Sequence, residues 1–211
     1  MTNIDTIIKN LSDGDIYTDE EIAKLTDTTK DYVRGILNNL SIHKTCGDGS
    51  GVIYYMDIKY DTIVDGVDFR NTVYCAKCNL CCKGCHNSQS WDIKNGKPIS
   101  VNDLAQLLLE NGNNITFSGG ECSLQANAFI ELAKKIKSHN KSIWLYSGRT
   151  YNELINNQAC KELLQYIDIL VDGQFIESLK NTDLLFKGSS NQRIIDLNKT
   201  RECGEIILWT R

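Results

Sequence analysis

Cys75-Ala-Lys-Cys78-Asn-Leu-Cys81-Cys82-Lys-Gly-Cys85-His86-Asn87 packs five of the chain's nine cysteines into eleven residues. Thiols this dense form either an oxidised structural staple or a metal site. The N-terminus, Met1-Thr-Asn-Ile-Asp5, has neither the basic start nor the apolar run of a signal peptide, so a cytoplasmic location is expected. In a reducing compartment clustered cysteines more often bind metal than pair with one another. The odd count of nine points the same way. No stretch of about 18 apolar residues is present, so no membrane span is expected. A net charge of −4 over 211 residues does not mark the chain as a general polyanion binder.

Outward from the cysteines, the chain reads as strands alternating with helices. Phe69 to Tyr74 alternates as a strand and delivers the chain into the cysteine loop. Beyond it, Ser100 with Asp103 starts a helix that carries Leu104, Leu107 and Leu108 on one face and ends at Asn111-Gly112. Ile115 to Phe117 is a strand followed by Ser118-Gly119-Gly120-Glu121. A helix spans about Leu124 to Lys137. Ile143 to Tyr146 is a strand followed by Ser147-Gly148-Arg149, and Thr150 with Glu153 opens another helix. Ile167 to Val171 is a strand followed by Asp172-Gly173. This alternation predicts an α/β fold on a parallel sheet, with the site where strands end. Four loops then meet at one edge: the cysteine loop, Ser118–Glu121, Ser147–Arg149 and Asp172-Gly173. The last third is less regular, with strand pieces at Ile194-Ile195 and Ile206 to Leu208.

Residues 1–56 read as a separate small α+β module. Ile4, Ile7, Ile8 and Leu11 have helical spacing, a second helix starts at the Thr18/Glu21 capping box, and a third runs from about Thr29 to Leu40. Ile42–Cys46 and Val52–Tyr55 flank a glycine-rich turn and suggest a hairpin. Three helices and a hairpin resemble a winged helix-turn-helix. Residues 1–60 carry six Lys/Arg against ten Asp/Glu. DNA affinity rests mainly on phosphate neutralisation, so this balance favours protein docking over sequence-specific DNA reading. Nucleic-acid binding through this module stays open, since Lys30, Arg34 and Lys44 gather on and after the third helix. Residues 57–211 form the other domain.

The cysteines admit two registers. Cys75-x2-Cys78-x2-Cys81-x3-Cys85 has the spacing of a bacterial ferredoxin run, which holds a closed, electron-carrying cluster. Cys78-x3-Cys82-x2-Cys85 resembles the three-cysteine loop of radical S-adenosylmethionine (SAM) enzymes. That loop leaves one iron without a protein ligand, free to chelate the amino and carboxylate groups of SAM. Zinc on Cys78, Cys82, Cys85 and His86 is weaker, because adjacent residues rarely reach one tetrahedral ion together. The context selects the second register. Cys85 is followed by His86-Asn87 and not by the proline usual in ferredoxin runs. Gly119-Gly120-Glu121 has no role in an electron carrier but suits a site that holds an amino acid: glycine backbone allows close approach, and a carboxylate can pair with an ammonium.

From about Asp61 to Trp209 the sequence resembles the activating enzymes of anaerobic (class III) ribonucleoside-triphosphate reductase, small radical SAM proteins. The blocks that carry the resemblance are Asp65-Gly66 with Arg70; Cys78-x3-Cys82-Lys-Gly-Cys85-His-Asn87 with Trp91; Ser118–Glu121; Ile143–Gly148; Val171-Asp-Gly-Gln-Phe175; and Gly188-Ser-Ser-Asn-Gln-Arg193. The last two separate this family from pyruvate formate-lyase activases. The chain departs from the family pattern at Val67-Asp68, at Ala76-Lys77, at Cys122 in place of proline, and at Arg149 where tyrosine is common. The N-terminal module is an addition.

The resemblance implies an incomplete (β/α) barrel and a [4Fe–4S] cluster on Cys78, Cys82 and Cys85. It implies SAM at the open iron, an electron from a flavodoxin-like donor, and a glycyl radical made on the large subunit of the reductase. Gly84, Cys85, His86 and Asn87 would line the SAM site, with Asn87 near the adenine. Gly119, Gly120 and Glu121 would hold the methionyl end, and Ser147 and Asp172 would complete the site. Asn191 and Arg193 are further candidate contacts. No side-chain acid or base is required. Cys75, Cys81, Cys46, Cys160 and Cys203 are left without a role. Two other readings remain: an activase of another glycyl-radical enzyme, of the pyruvate formate-lyase type, and a non-catalytic iron–sulfur transcription regulator.

Overall fold

The computed structural model describes residues 51–210. The winged-helix module expected over residues 1–56 lies outside them except for its last six positions. The chain divides into two compact units, Met1–Lys44 and Thr45–Arg211. The described part of the second unit is built from β1 (Val52–Thr62), β2 (Arg70–Cys75), β3 (Lys97–Ser100), α1 (Val101–Leu109), β4 (Asn114–Gly119), α2 (Ala126–Ser138), β5 (Ile143–Tyr146), α3 (Tyr151–Ile155), α4 (Gln158–Leu163), β6 (Ile169–Asp172), β7 (Arg193–Asp196) and α5 (Leu197–Cys203).

The strands form one open seven-stranded sheet in the order β3-β1-β2-β4-β5-β6-β7. The four central strands, β2, β4, β5 and β6, are parallel, and the flanking strands are antiparallel. The fold is therefore mixed α/β, as the alternation predicted. Of the hairpin expected at the end of the N-terminal module, the arm Ile42–Cys46 lies outside the described residues, and Val52–Tyr55 belong to the main sheet. They open β1 and pair with Lys97–Ser100 of β3. Alternation marks a strand but not its partner, and the partner here lies about forty residues on.

Local signals place the helices. Ser100 Oγ accepts from the Asp103 backbone N–H at 3.0 Å and donates to its carboxylate at 2.7 Å. Thr150 and Glu153 cap α3 reciprocally. β3 gave no signal: it is four residues long and contains Pro98, which an edge strand tolerates because its outer N–H needs no partner.

Successive strand residues face opposite sides of the sheet. Val73, Cys75, Ile115, Phe117, Ile143, Leu145 and Leu170 face the helices, packing with Leu104, Leu108, Phe129, Leu132, Ile136, Leu154 and Leu163. Phe117 and Phe129 meet edge to face at 4.9 Å. The other face carries a smaller apolar group, Trp144, Ile169 and Val171 with Phe186, Ile194 and Trp209. No helix of the described residues is long and apolar enough to cross a membrane.

Arg70 ties the N-terminal ends of the parallel strands together. It is 1% exposed. Its guanidinium donates to Thr116 Oγ1 at 2.7 Å, to the carbonyls of Val67 and Ser142 at 3.2 Å each, to Ser142 Oγ at 3.2 Å, and to the Ile115 carbonyl. It also lies over the Trp144 ring. Burial pulls its pKa down to about 10, opposed by the charges of Tyr146 and of Asp168, Asp68 and Asp65, so it is cationic at neutral pH. Arg70→Leu strands these acceptors without donors. The expected loss is about 3 kcal/mol in urea unfolding of the full chain.

Candidate functional site

Parallel pairing puts the ends of β2, β4, β5 and β6 at one edge, and the four loops expected to converge there are bonded to one another. Gly120 N–H donates to the Cys75 carbonyl and Glu121 N–H to the Lys77 carbonyl, both at 2.8 Å. These bonds seat the Gly-Gly-Glu turn directly on the root of the cysteine loop. A Cβ on Gly119 would lie 2.5 Å from the Cys75 nitrogen, and one on Gly120 would lie 2.5 Å from the Lys77 oxygen. No side chain fits between these backbones, and Gly119 also has φ +103°.

The cysteine loop turns sharply. Lys77 (φ 73°) and Cys81 (φ 46°) occupy the left-handed region without being glycine, a strain that surrounding contacts must hold. Cys78 N–H donates to the Trp91 carbonyl and Cys85 N–H to the Cys82 carbonyl. Asn87 N–H points at Cys85 Sγ, 3.4 Å away. Cys78, Cys82 and Cys85 are free and half-buried, Cys81 is exposed, and Cys75 is fully buried in the core. Burial pushes the Cys78 thiol up; the Leu80 backbone N–H opposes this, and the charges of Glu121, Cys82 and Cys85 add to it. Those three groups therefore share the neighbourhood of Cys78.

Glu121 is fully buried. Its carboxylate accepts from the Ser147 hydroxyl at 2.9 and 3.1 Å, from Gly148 N–H at 2.9 Å and from Ser123 N–H at 3.2 Å. Three protein donors leave about one of its four acceptor positions for a ligand. Ser147 and Glu121 thus link the loops after β4 and β5. Arg149 extends the link to the cysteine loop, reaching Asn79 Oδ1 at 3.1 Å.

Asp172 is positioned differently. It is 1% exposed, is gripped by both arms of the Arg193 guanidinium, and accepts from Tyr151 N–H at 2.7 Å. Pairing with Asp172 pushes the Arg193 pKa up. Around this pair, Gln192 Nε2 donates to the Gly173 carbonyl at 2.9 Å, and Asn191 Nδ2 donates to the Gln174 carbonyl at 2.8 Å. The sequence blocks at 171–175 and 188–193 are therefore two halves of one bonded unit, in which Arg193 faces Asp172 and Asn191 holds the Gln174 backbone. The chain between them reaches back over the cysteine loop: Gln174 Nε2 donates to the Leu80 carbonyl, Glu177 pairs with Lys83 at 3.2 Å, and Phe175 lies against the exposed His86.

Asn87 and Gly119 border a common cleft of about 230 Å³ with Asp57, Lys59, Tyr74 and Gln89. Sequence reasoning missed β1 as a wall of this cleft, because Asp57 and Lys59 lie in a strand well before the cysteine run and belong to no motif. It also missed Gln125, 4% exposed. Its amide donates to the carbonyls of Ala76 and Tyr54 and accepts from Tyr54 N–H, clamping the start of the cysteine loop to β1. A lone glutamine after a glycine turn carries no such signal.

Two outcomes follow from this geometry. Gly120→Ala drives a methyl into the Lys77 carbonyl and displaces the cysteine loop; the expected loss is about 1–3 kcal/mol in denaturant unfolding of the full chain. Arg193→Ala leaves Asp172 buried without its cation and should cost about 2–3 kcal/mol in denaturant unfolding, with Asp172→Asn in the same chain recovering part of that loss.

Residues 64–195 match the family model for a 4Fe-4S single cluster domain. The anaerobic ribonucleoside-triphosphate reductase-activating protein of Escherichia coli K12 is 32% identical over 141 residues, which is 62% of this chain and 90% of that protein. The protein of the same name from Vibrio cholerae serotype O1 is 34% identical over 143 residues, 63% of this chain and 90% of its own length. That of Enterobacteria phage T4 is 27% identical over 150 residues, 65% of this chain and 93% of its own. With its cysteine loop seated on a Gly-Gly-Glu turn inside the matched domain, the chain belongs to the family of anaerobic ribonucleoside-triphosphate reductase-activating proteins.

Proposed function

We propose that this chain is a radical SAM activase that installs the glycyl radical on an anaerobic ribonucleoside-triphosphate reductase. Cys78, Cys82 and Cys85 would hold a [4Fe–4S] cluster. The observation that carries the reading is the joining of the cysteine loop, the Gly-Gly-Glu turn and Ser147 into one hydrogen-bonded edge.

The donor set fits the cluster. Three soft thiolates are the ligands an iron–sulfur core takes. Burial and the nearby Glu121, Cys82 and Cys85 push the Cys78 thiol up, a cost to its thiolate that a bound cationic cluster would offset. Among the described residues no three His, Cys, Asp or Glu side chains converge on a single metal ion. A polynuclear cluster asks for no such convergence, since each iron takes its own thiolate. The ferredoxin register would need Cys75, whose side chain belongs to the helix-facing core. That placement supports Cys78, Cys82 and Cys85, with one iron left to SAM.

When bound, the cluster would supply the electron for reductive cleavage of SAM, the chemistry that removes a hydrogen atom from a glycine Cα of the reductase. The residues of the chain bind, orient and shield. Gly119 and Gly120 offer backbone to the methionyl end of SAM, and Glu121 offers its remaining acceptor position to the ammonium. Asn87 and Gly119 border the cleft proposed for the adenosyl end. Gly84 and His86 flank Cys85 on the outer side. Ser147 acts by holding Glu121, and Asp172 by anchoring, through Arg193, the segment that reaches over the cysteine loop. The Asn87 N–H, 3.4 Å from Cys85 Sγ, would raise the potential of a cluster held there.

An incomplete (β/α) barrel is supported by an open sheet with the helices on one face and only the smaller Trp144, Phe186 and Trp209 group on the other; the glycine loop of the reductase large subunit would enter on the open side. A flavodoxin-like protein of the cytoplasm would be the electron donor, and the N-terminal module a docking element.

Alanine at Cys78, Cys82 or Cys85 should abolish cluster assembly, read as iron and sulfide content, and 5′-deoxyadenosine formation from SAM under reduction. Alanine at Cys81 should leave both within about twofold of wild type, under 0.5 kcal/mol. A Cys82→Ala chain that keeps its cluster would sink the assignment. So would failure of the wild-type chain, with its reductase, to give a glycyl radical by electron paramagnetic resonance.

A further inference from the structure

The activase reading leaves two buried thiols unused, and they touch. Cys75 and Cys122 have their sulfurs 3.3 Å apart, and both side chains are fully buried. Neither position is incidental to the site. Cys75 is the last residue of β2, three before Cys78, and Cys122 directly follows Glu121. Cys75 pairs across the sheet with Gly119, and its carbonyl accepts from Gly120 N–H. Cys122 Sγ also lies 3.5 Å from the Ser118 carbonyl. The two sulfurs therefore sit under the junction where the cysteine loop meets the Gly-Gly-Glu turn. Among the described residues the remaining buried cysteine, Cys160, points elsewhere, toward the Ser123 carbonyl.

We propose that Cys75 and Cys122 are a redox modification site: a dithiol that closes to a reversible disulfide under peroxide and ties the root of the cysteine loop to the Gly-Gly-Glu turn. A disulfide bond is about 2.05 Å long, so the sulfurs must approach by only about 1.2 Å. One Cys thiolate attacks hydrogen peroxide, the O–O bond breaks, and a sulfenic acid and hydroxide form. The second thiol displaces the sulfenic hydroxyl, so that two thiols and one peroxide give one disulfide and two waters. A small dithiol reverses the step by exchange, becoming a disulfide itself while both cysteines regain hydrogen. Burial shields the pair from bulky oxidants and slows the reaction, so it closes later than the exposed Cys81 and Cys203 react. The pair is defined by contact alone and does not depend on the activase reading.

The chain suits a direct test. Trypsin releases Cys75 in Asn71–Lys77 and Cys122 in Asn95–Lys134, each the only cysteine of its peptide. The full-length protein, with and without reconstitution by iron and sulfide, is treated with hydrogen peroxide, acid-quenched, alkylated in denaturant and digested without reduction. The expected product is the two peptides joined, two hydrogens lighter than their sum, and separated again by dithiothreitol. Cys122→Ala should return Asn71–Lys77 fully alkylated after the same treatment; if that variant does not fold, the wild-type peptide map decides alone. Recovery of both wild-type peptides alkylated or as sulfinic acids, or of Cys75 joined to a cysteine other than Cys122, overturns the proposal.

Discussion

Gly119 and Gly120 lie so close to the backbone of Cys75 and Lys77 that a single methyl would not fit, and the site is built on that approach. Two amide hydrogen bonds cross the gap and convert the strand pairing of β2 and β4 into a fixed relation between two loops. The relation matters chemically. A cluster and an amino-acid ligand must sit within bonding distance of each other, so the segments that hold them must be held together first. Glu121 carries the constraint onward. Its buried carboxylate collects the Ser147 hydroxyl and two backbone N–H groups, so the loop after β5 is set by the same turn that sets the cysteine loop.

The residues nearest the site divide by what they hold. Ser147 and Gln125 hold protein to protein, with their buried polar groups satisfied within the chain as interior polar groups must be, and Glu121 does the same with all but about one of its acceptor positions. Cys78, Cys82 and Cys85 remain partly exposed, and Asn87 and Gly119 border the cleft. Asp172 and Arg193 form a third set at the site's border, where an ion pair with one buried partner anchors the long segment 173–192 across the cysteine loop. A motif residue at a strand end can thus shape a site through its neighbours without facing a ligand.

Much of the α/β layout was legible. Hydrophobic periodicity located β2, β4, β5, β6 and α2, and capping boxes located the starts of α1 and α3. These signals are local, because a helix face or an N-cap is written within a few residues. β3 was not legible: Lys97 and Pro98 carry no strand propensity, and the strand exists because β1 offers it a partner. The membership of β1 in the main sheet was hidden for the same reason.

The sequence by itself determined the chemistry. Cysteine spacing, a glycine turn after a strand and a polar group after each later strand identify a metal-dependent site at one sheet edge, because residue types and short spacings are local facts that survive without coordinates. Only the tertiary structure decided which of those residues face outward and which face each other. Cys75 turns into the core against Cys122, Asp172 turns to Arg193, and Glu121 turns to Ser147. Such choices depend on contacts between segments 21 to 47 residues apart, and side-chain direction is settled there by packing and hydrogen-bond satisfaction that no local pattern encodes.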